Sequence, residues 1–341
     1  PLGVQMSLMI EKSRKMISDL FSVQPQDLIF TSSGSEANNL AIKGLALANR
    51  KFGNHLITSA IEHPSVLNTM KQLRDVFGFE LTIIDVDNQG QLDLRGLVEA
   101  LRQDTILVSF MAINNEVGTI FPIEEIVKIV KENSKALIHV DMVQLLGKHP
   151  LNLKGIDAAS FSAHKIHGFK GTGLLYVKHH LNILPLISGG QQEFGIRAGT
   201  SNTINNVLLA KTISLAIKQQ PLVFKNITKL HYYLRDALEN IENIVINSPE
   251  NGSPYILSFS HLKLGSEIIM NALSQKEIYV SSRSTCSSKL NTVSHVLSAM
   301  GKNDDVLNGV IRVSLSHDTT QEELEILIEE IKGVNKHVIS K

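Results

Sequence analysis

Across the first two-thirds of the chain, short apolar runs alternate with amphipathic stretches, and this alternation constrains the fold more than any other feature. The runs are Asp27–Thr31, Leu56–Ser59, Leu81–Val86, Ile106–Met111, Leu137–Asp141, Ala158–Ser162 and Gly173–Val177. Between them lie Glu36–Arg50, Pro64–Phe77, Leu94–Arg102 and Ile123–Asn133, which read as amphipathic helices. A run such as Ile-Leu-Val-Ser-Phe-Met reads as a strand buried on both faces. Strands of that kind belong to mostly parallel sheets covered by helices. The expected class is α/β, and ligands of such sheets bind beyond the carboxyl ends of the strands. Ser32–Ser35, Glu62-His63, Asn114-Asn115, Asp141 and Ser162–Lys165 all follow strands directly, so five polar clusters are expected on one rim.

After Gly189-Gly190 the pattern changes. A helical stretch, about Ile204–Gln219, is expected to end at Pro221. A smaller α+β region follows, with helices at Asn226–Asn240, Ser266–Ser274 and Gln321–Val334. Its strands are placed near Ile244–Ile246, Tyr255–Ser260, Ile278–Ser281 and Val310–Leu315. A length of 341 residues accommodates two domains, a large one over 1–220 and a small one over 221–341. The chain opens on Pro1-Leu2-Gly3 and enters a helix with no preceding strand or cap, so its natural beginning is expected upstream.

Composition removes several functions. Lys+Arg and Asp+Glu balance at 33 each, which gives no basic surface for a nucleic acid. No apolar run is long enough to span a membrane and no secretory leader opens the chain, so a cytoplasmic protein is expected. The 13 histidines are scattered without ligand spacing, and a single cysteine, Cys286, excludes an internal disulfide or a multi-cysteine zinc site; no metal is expected.

The clusters carry chemistry. Lys165 stands at a strand end, with Ser162 and His164 before it and Gly168, Gly171 and Gly173 after it. Such a lysine is either a solvated turn residue or a Schiff-base amine for pyridoxal phosphate (PLP), with its neighbours on the phosphate. Ser32-Ser-Gly-Ser35 opens the helix starting at Glu36, where first-turn N–H groups can hold a phosphate; the same residues also fit an ordinary serine N-cap. Asp141, with Gln144 three residues on, can keep a pyridinium nitrogen protonated, although alone it reads as a helix N-cap. His63, before the helix-opening Pro64, can stack on a cofactor ring or move protons, or be a loop histidine. Asn115, in Asn114-Asn-Glu-Val-Gly118, can bind a ring oxygen or a carboxylate, or be a turn residue. Arg312 is a cation in an apolar run and calls for an anionic partner. Cys286 lies in the polar segment Ser281-Ser-Arg-Ser-Thr-Cys-Ser-Ser-Lys-Leu290, which argues against a core position. Arg283 and Lys289 favour a thiolate below the free value of about 8.5.

In this order, these segments resemble the NifS/IscS-type cysteine desulfurases of the class V aminotransferase group. The matching stretches are Phe30–Gly44, Glu62-His-Pro-Ser-Val66, Asn114–Gly118, His139-Val-Asp-Met-Val-Gln144 and Ser162-Ala-His-Lys165. Gly189-Gly-Gln-Gln-Glu193, Arg197-Ala-Gly-Thr200 and Ser284-Thr-Cys286 follow, so the resemblance covers essentially the whole chain. It implies the type I PLP-transferase fold, with a seven-stranded, mainly parallel sheet and a smaller C-terminal domain, and a homodimer. It implies Lys165 as the Schiff-base lysine, Asp141 as the pyridinium partner, Gln144 on the ring oxygen and His63 over the ring. Gly34, Ser35, Ser162 and His164 would hold the phosphate, with Thr200 from the other subunit; Asn115 and Arg312 would hold the substrate carboxylate. Cys286 would take sulfur from L-cysteine as a persulfide, leaving L-alanine, and pass it to an iron–sulfur scaffold or a tRNA-thiolation enzyme. The rival readings are a selenocysteine lyase or other PLP enzyme on this fold, and a non-catalytic scaffold for sulfur-acceptor proteins. The chain departs from the family pattern in three places. Its opening Asp-Asn-Ala-Ala-Thr-Thr motif, which helps enclose the substrate site, is absent. Arg283 stands where glycine is common, and Ser201 where an acid often follows the Arg-x-Gly-Thr motif.

Overall fold

The apolar runs become the strands of one sheet in the structure, a computed structural model that describes residues 2–282 and 293–339. Two units are present. The first comprises the described residues of Pro1–Ile84, Asp93–Ala112 and Pro122–Gln220; the second, those of Asp85–Leu92, Ile113–Phe121 and Pro221–Lys341.

In chain order the first unit holds α1 (Leu2–Phe21), β1 (Leu28–Thr31), α2 (Gly34–Asn49), β2 (His55–Ser59), α3 (Pro64–Phe77) and β3 (Glu80–Ile84). It continues with α4 (Leu94–Ala100), β4 (Thr105–Met111), α5 (Ile123–Asn133), β5 (Leu137–Asp141), β6 (Ala158–Ser162), β7 (Gly173–Val177) and the start of α6 (Thr203–Glu239). The strands form a seven-stranded sheet in the order β1-β7-β6-β5-β4-β2-β3. Only β7 runs against its neighbours, and the remaining pairs are parallel, as the uninterrupted apolar runs predict. Every residue of β1, β2, β4, β6 and β7 is buried.

Local chemistry sets the element ends. Pro64 opens α3, and Gly78 closes it at φ 69°, a left-handed cap that glycine adopts without strain. α2 begins at Gly34, two residues before the sequence pattern places it, because Ser33 is extended and its Oγ accepts the Glu36 N–H at 3.1 Å. Pro221 does not end a helix: α6 runs through it from Thr203 to Glu239. Pro221 is exposed, so the carbonyl it leaves without a donor is on the side water can reach.

Two buried polar constructions stitch this unit together. His139 on β5 bridges Ser109 Oγ on β4 at 2.7 Å and Ser160 Oγ on β6 at 2.9 Å. Burial pushes its imidazole down to about 3, so it is a neutral cross-strand tie. On α1, the buried Arg14 guanidinium pairs with both carboxylate oxygens of Glu193, at 2.9 and 3.1 Å, and also donates to the Leu28 carbonyl. Glu193 in turn accepts the Phe30 N–H at 2.9 Å, and the guanidinium lies 4.8 Å from the ring centres of Phe30 and Phe194.

The second unit holds β8 (Ile244–Ile246), β9 (Ile256–His261), α7 (Ser266–Ser274), α8 (His295–Ala299), α9 (Asp304–Asn308), β10 (Val310–Ser314) and α10 (Gln321–Ile339). Its antiparallel sheet has the order β10-β9-β8, with Leu257, Phe259 and Ile311 buried against Leu324, Leu327 and Ile331 of α10. The strand expected at Ile278–Ser281 does not form. Among the described residues, pairing there is confined to a bridge between Ser281 and Arg312, although Ile278 and Val280 pack against the core and Tyr279 between them is 80% exposed. Among the described residues no helix is long and apolar enough to cross a membrane.

Candidate active site

The first unit gathers its polar clusters at the carboxyl ends of β1, β2, β5 and β6. From β1 the chain passes through Ser32 and Ser33 into α2. Ser33 accepts the N–H groups of Glu36 through its side chain and Ala37 through its carbonyl, leaving those of Gly34 and Ser35 aimed out of the helix end. Gly34 is required by packing, since a Cβ there would lie 2.8 Å from Val143 Cγ2 and 3.2 Å from Ser162 Cβ. Gly173, on the reversed strand β7, is likewise packed against Ser33, whose carbonyl carbon would lie 2.5 Å from an added Cβ. The two glycines bring the first turn of α2 against the end of β6.

Glu36 locks that turn from outside. Its carboxylate accepts both the N–H (2.7 Å) and the hydroxyl of Ser32, and Arg197 Nε at 2.8 Å. Burial pushes its carboxyl up, but the hydrogen bonds from Arg197 and Ser32 more than reverse this and hold it below the ordinary carboxylate range.

Beyond β6, residues Ala163–Ile166 form a 3-10 turn closed by His167 in the left-handed region at φ 62°. Lys165 is half-buried in this turn. Ser162 Oγ lies 2.8 Å from His164 Nδ1. The His164 imidazole is held below its usual range by burial and then by the charges of Lys165, Lys170, Lys148 and His63. Those charges make a positive field beside the α2 N-terminus, which suits an anion.

At the end of β5, Asp141 is 6% exposed. Its Oδ1 accepts the Val143 N–H at 3.0 Å and its Oδ2 accepts Asn38 Nδ2 at 2.8 Å. The same Asn38 nitrogen donates to Ser65 Oγ at 2.9 Å, and Ser65 Oγ lies 2.7 Å from His63 Nδ1. His63 is the N-cap of α3, where its Nδ1 accepts the Ser65 backbone N–H at 3.1 Å. A backbone N–H can only donate, so Nδ1 is the acceptor nitrogen and a neutral ring carries its proton on Nε2. Glu62, immediately before, is fully buried and accepts from Ser59 Oγ at 2.5 Å and Met111 N–H at 3.0 Å. Burial, opposed by these two hydrogen bonds and aided by the Asp141 charge, pushes its carboxyl up to about 8. Gln144 is buried, with its Oε1 accepting Lys148 Nζ at 2.9 Å.

The remaining expected residues fall elsewhere. Asn115 belongs to the second unit, as does Arg312 on β10. Arg312 Nη1 donates to the Asn115 carbonyl at 2.9 Å, while its buried Nε has no partner among the described residues. Burial pulls the guanidinium below its usual range, partly offset by the Glu116 charge. A guanidinium with an unused donor is of the chemical type that pairs with an oxyanion. Thr200 is exposed and follows Gly199 at φ 112°. Cys286 lies outside the described residues.

Sequence reasoning missed Asn38, Ser65 and Glu36. None left a distinguishing signal: Asn38 stands next to Asn39 in the helix segment Ala37–Leu45. In sum, the first unit can hold an anion against α2 and β6, and a protonated ring nitrogen against Asp141, with Lys165 as an amine.

Known proteins resemble this chain over nearly its whole length. The family model "Aminotransferase class-V" matches residues 1–327. The cysteine desulfurase IscS of Dictyoglomus turgidum is 40% identical over 329 residues, 95% of this chain and 83% of that protein. A "NifS/IcsS protein homolog" of Lactobacillus delbrueckii subsp. bulgaricus is 37% identical over 98% of this chain and 88% of its own length. Among solved structures, a NifS-like protein superposes with a TM-score of 0.93 at 38% identity, covering 99% of this chain and 90% of that one.

Proposed function

The chain belongs to the class-V aminotransferase family, and we propose that it is a PLP-dependent cysteine desulfurase, moving the sulfur of L-cysteine onto Cys286 and releasing L-alanine. The observation that carries this reading is the buried Asp141 carboxylate, held by Val143 N–H and Asn38, on the same sheet rim as the Gly34–Ser162 cradle and Lys165. A cradle without room for a Cβ, two outward N–H groups and a buried carboxylate fit a phosphate at one end and a pyridine nitrogen at the other.

In this reading Gly34, Ser35, Ser162 and His164 would hold the phosphate, Gln144 the ring oxygen and Asp141 the ring N–H, while His63 would cover the ring. Once bound, PLP supplies an electron sink for the pair left at the substrate's α-carbon. Lys165 would anchor the cofactor covalently, and its Nζ would take the substrate's α-proton and return it. Arg312 and Asn115 take the substrate carboxylate. The Cys286 thiolate then attacks the substrate sulfur: a sulfur–sulfur bond forms, the carbon–sulfur bond breaks, and its electron pair stays with the carbon chain that leaves as alanine.

A homodimer, with Thr200 completing the phosphate site of the second copy, belongs to the same proposal. Apolar side chains left exposed on the first unit support it, among them Leu2, Val4 and Leu8 of α1 and Ile204 of α6. The persulfide is handed to an acceptor protein, either an iron–sulfur scaffold or a tRNA-thiolation enzyme, in the cytoplasm.

The test is a pair of variants. Lys165→Ala should lose the visible absorbance of covalently held PLP. Cys286→Ser should keep that absorbance and its response to L-cysteine but release no sulfide with a reductant. An unchanged spectrum in the first, or normal sulfide release in the second, overturns the assignment. Supplying L-selenocysteine, or an amino acid with a keto acid, separates a selenocysteine lyase or aminotransferase by product.

A further inference from the structure

Asp141 and His63 stand at the ends of β5 and β2, which are separated in the sheet by β4. Sheet geometry sets strands two apart at about 10 Å, but His63 lies four residues beyond β2 as the N-cap of α3, so the sheet does not fix where its ring stands relative to Asp141. The structure supplies a bridge that does. Asn38 is 1% exposed on α2 and reaches Asp141 Oδ2 and Ser65 Oγ with one amide nitrogen, at 2.8 and 2.9 Å. Ser65 Oγ continues to His63 Nδ1 at 2.7 Å. The amide orientation is dictated by chemistry, because an ionised carboxylate only accepts and must therefore face the nitrogen. Ser65 Oγ accepts from Asn38, which directs its own proton to His63 Nδ1, the nitrogen already identified as the acceptor.

We propose that Asn38, acting through Ser65, is a positioning residue that fixes the His63 ring relative to the Asp141 carboxylate. This rests on the PLP reading, in which those two groups touch the same ring. The chain of contacts runs from β5 through α2 to the first turn of α3. α2 also presents Gly34 and Ser35 one turn earlier, so the helix that cradles the anion carries the gauge between the other two contacts. Asn38 Oδ1 is buried with no partner among the described residues, so the Nδ2 contacts are the ones that place this side chain.

The test uses the full-length holoenzyme with Asn38→Ala, Ser65→Ala and the double variant. PLP affinity is measured by equilibrium dialysis, kcat and KM for L-cysteine by sulfide release, and Tm by calorimetry. Asn38→Ala, losing a hydrogen bond to a charged group, should weaken PLP binding roughly tenfold. It should lower kcat more than KM changes, since alignment and not substrate binding is lost. Ser65→Ala leaves Asp141 contacted and should give a smaller loss of the same kind. The double variant should lose no more than Asn38→Ala alone, because both substitutions cut one chain of contacts. Additive losses, or a lowered Tm with PLP affinity and kcat unchanged, overturn the proposal. Ser65→Ala keeps it testable should Asn38→Ala fail to fold. If the wild-type protein shows no Lys165-dependent visible absorbance, the PLP reading itself fails. If it shows that absorbance and the variants behave as wild type, only the bridge fails.

Discussion

Glu62→Gln should make the protein less sensitive to rising pH. Glu62 is fully buried, and its carboxyl is raised from 4.5 to about 8, chiefly by burial, with the Asp141 charge adding to it. A carboxyl raised on folding favours the folded state fully below the unfolded value and loses that contribution as pH rises through the folded value. The window therefore runs from 4.5 to about 8. At about 1.4 kcal/mol per pH unit it spans about 5 kcal/mol. Gln cannot ionise, yet its Oε1 can still accept the two donors that Glu62 Oε1 uses, from Ser59 Oγ and Met111 N–H. Between pH 5.5 and 7.5 the wild type should thus lose about 3 kcal/mol relative to Glu62→Gln. In a chain of 341 residues that corresponds to a Tm difference changing by about 4 °C. Calorimetry of the PLP-free proteins across this range reads the difference directly, with no ring nitrogen to titrate beside Asp141. A wild-type-minus-variant Tm that stays flat with pH would refute the reasoning, as would one that rises.

Two further outcomes are expected. Glu193→Ala strands the buried Arg14 guanidinium without its bidentate partner, and should cost about 3–5 kcal/mol of stability by urea unfolding; a loss under about 1 kcal/mol would show that the pair is not the tie it looks like. Arg312→Lys keeps a positive charge but loses the planar fork, and should raise KM for L-cysteine about tenfold or more with a smaller effect on kcat. An unchanged KM would remove Arg312 from carboxylate binding.

Much of the site could be read along the chain because its residues come in short clusters directly after strands. Asp141 ends an apolar run, Lys165 follows another within three residues, and His63 precedes a proline that opens a helix. The bridge could not be read that way. Asn38, Ser65 and Asp141 are far apart in sequence, and each alone has a common local role as a helix amide, a first-turn serine and an N-cap. The charge state of Glu62 was equally hidden, since only three-dimensional burial distinguishes a carboxyl pushed up to about 8 from an ordinary loop acid. Pro221 was misread as a helix end because the rule that proline breaks helices assumes the freed carbonyl has nowhere to turn, and here that side is exposed.

The order of strands and helices, the parallel character of the sheet and the polar clusters at its rim were determined by the sequence alone. These follow from hydrophobic period and steric limits that act over a few residues. Tertiary structure alone decided which clusters meet. It sent 85–92 and 113–121 to the second unit, placing Asn115 beside Arg312. It tied Arg14 to Glu193 and His63 to Asp141 through Asn38. Such contacts arise when burial makes each unpaired polar group costly, so that partners distant in sequence are selected by geometry and not by local pattern.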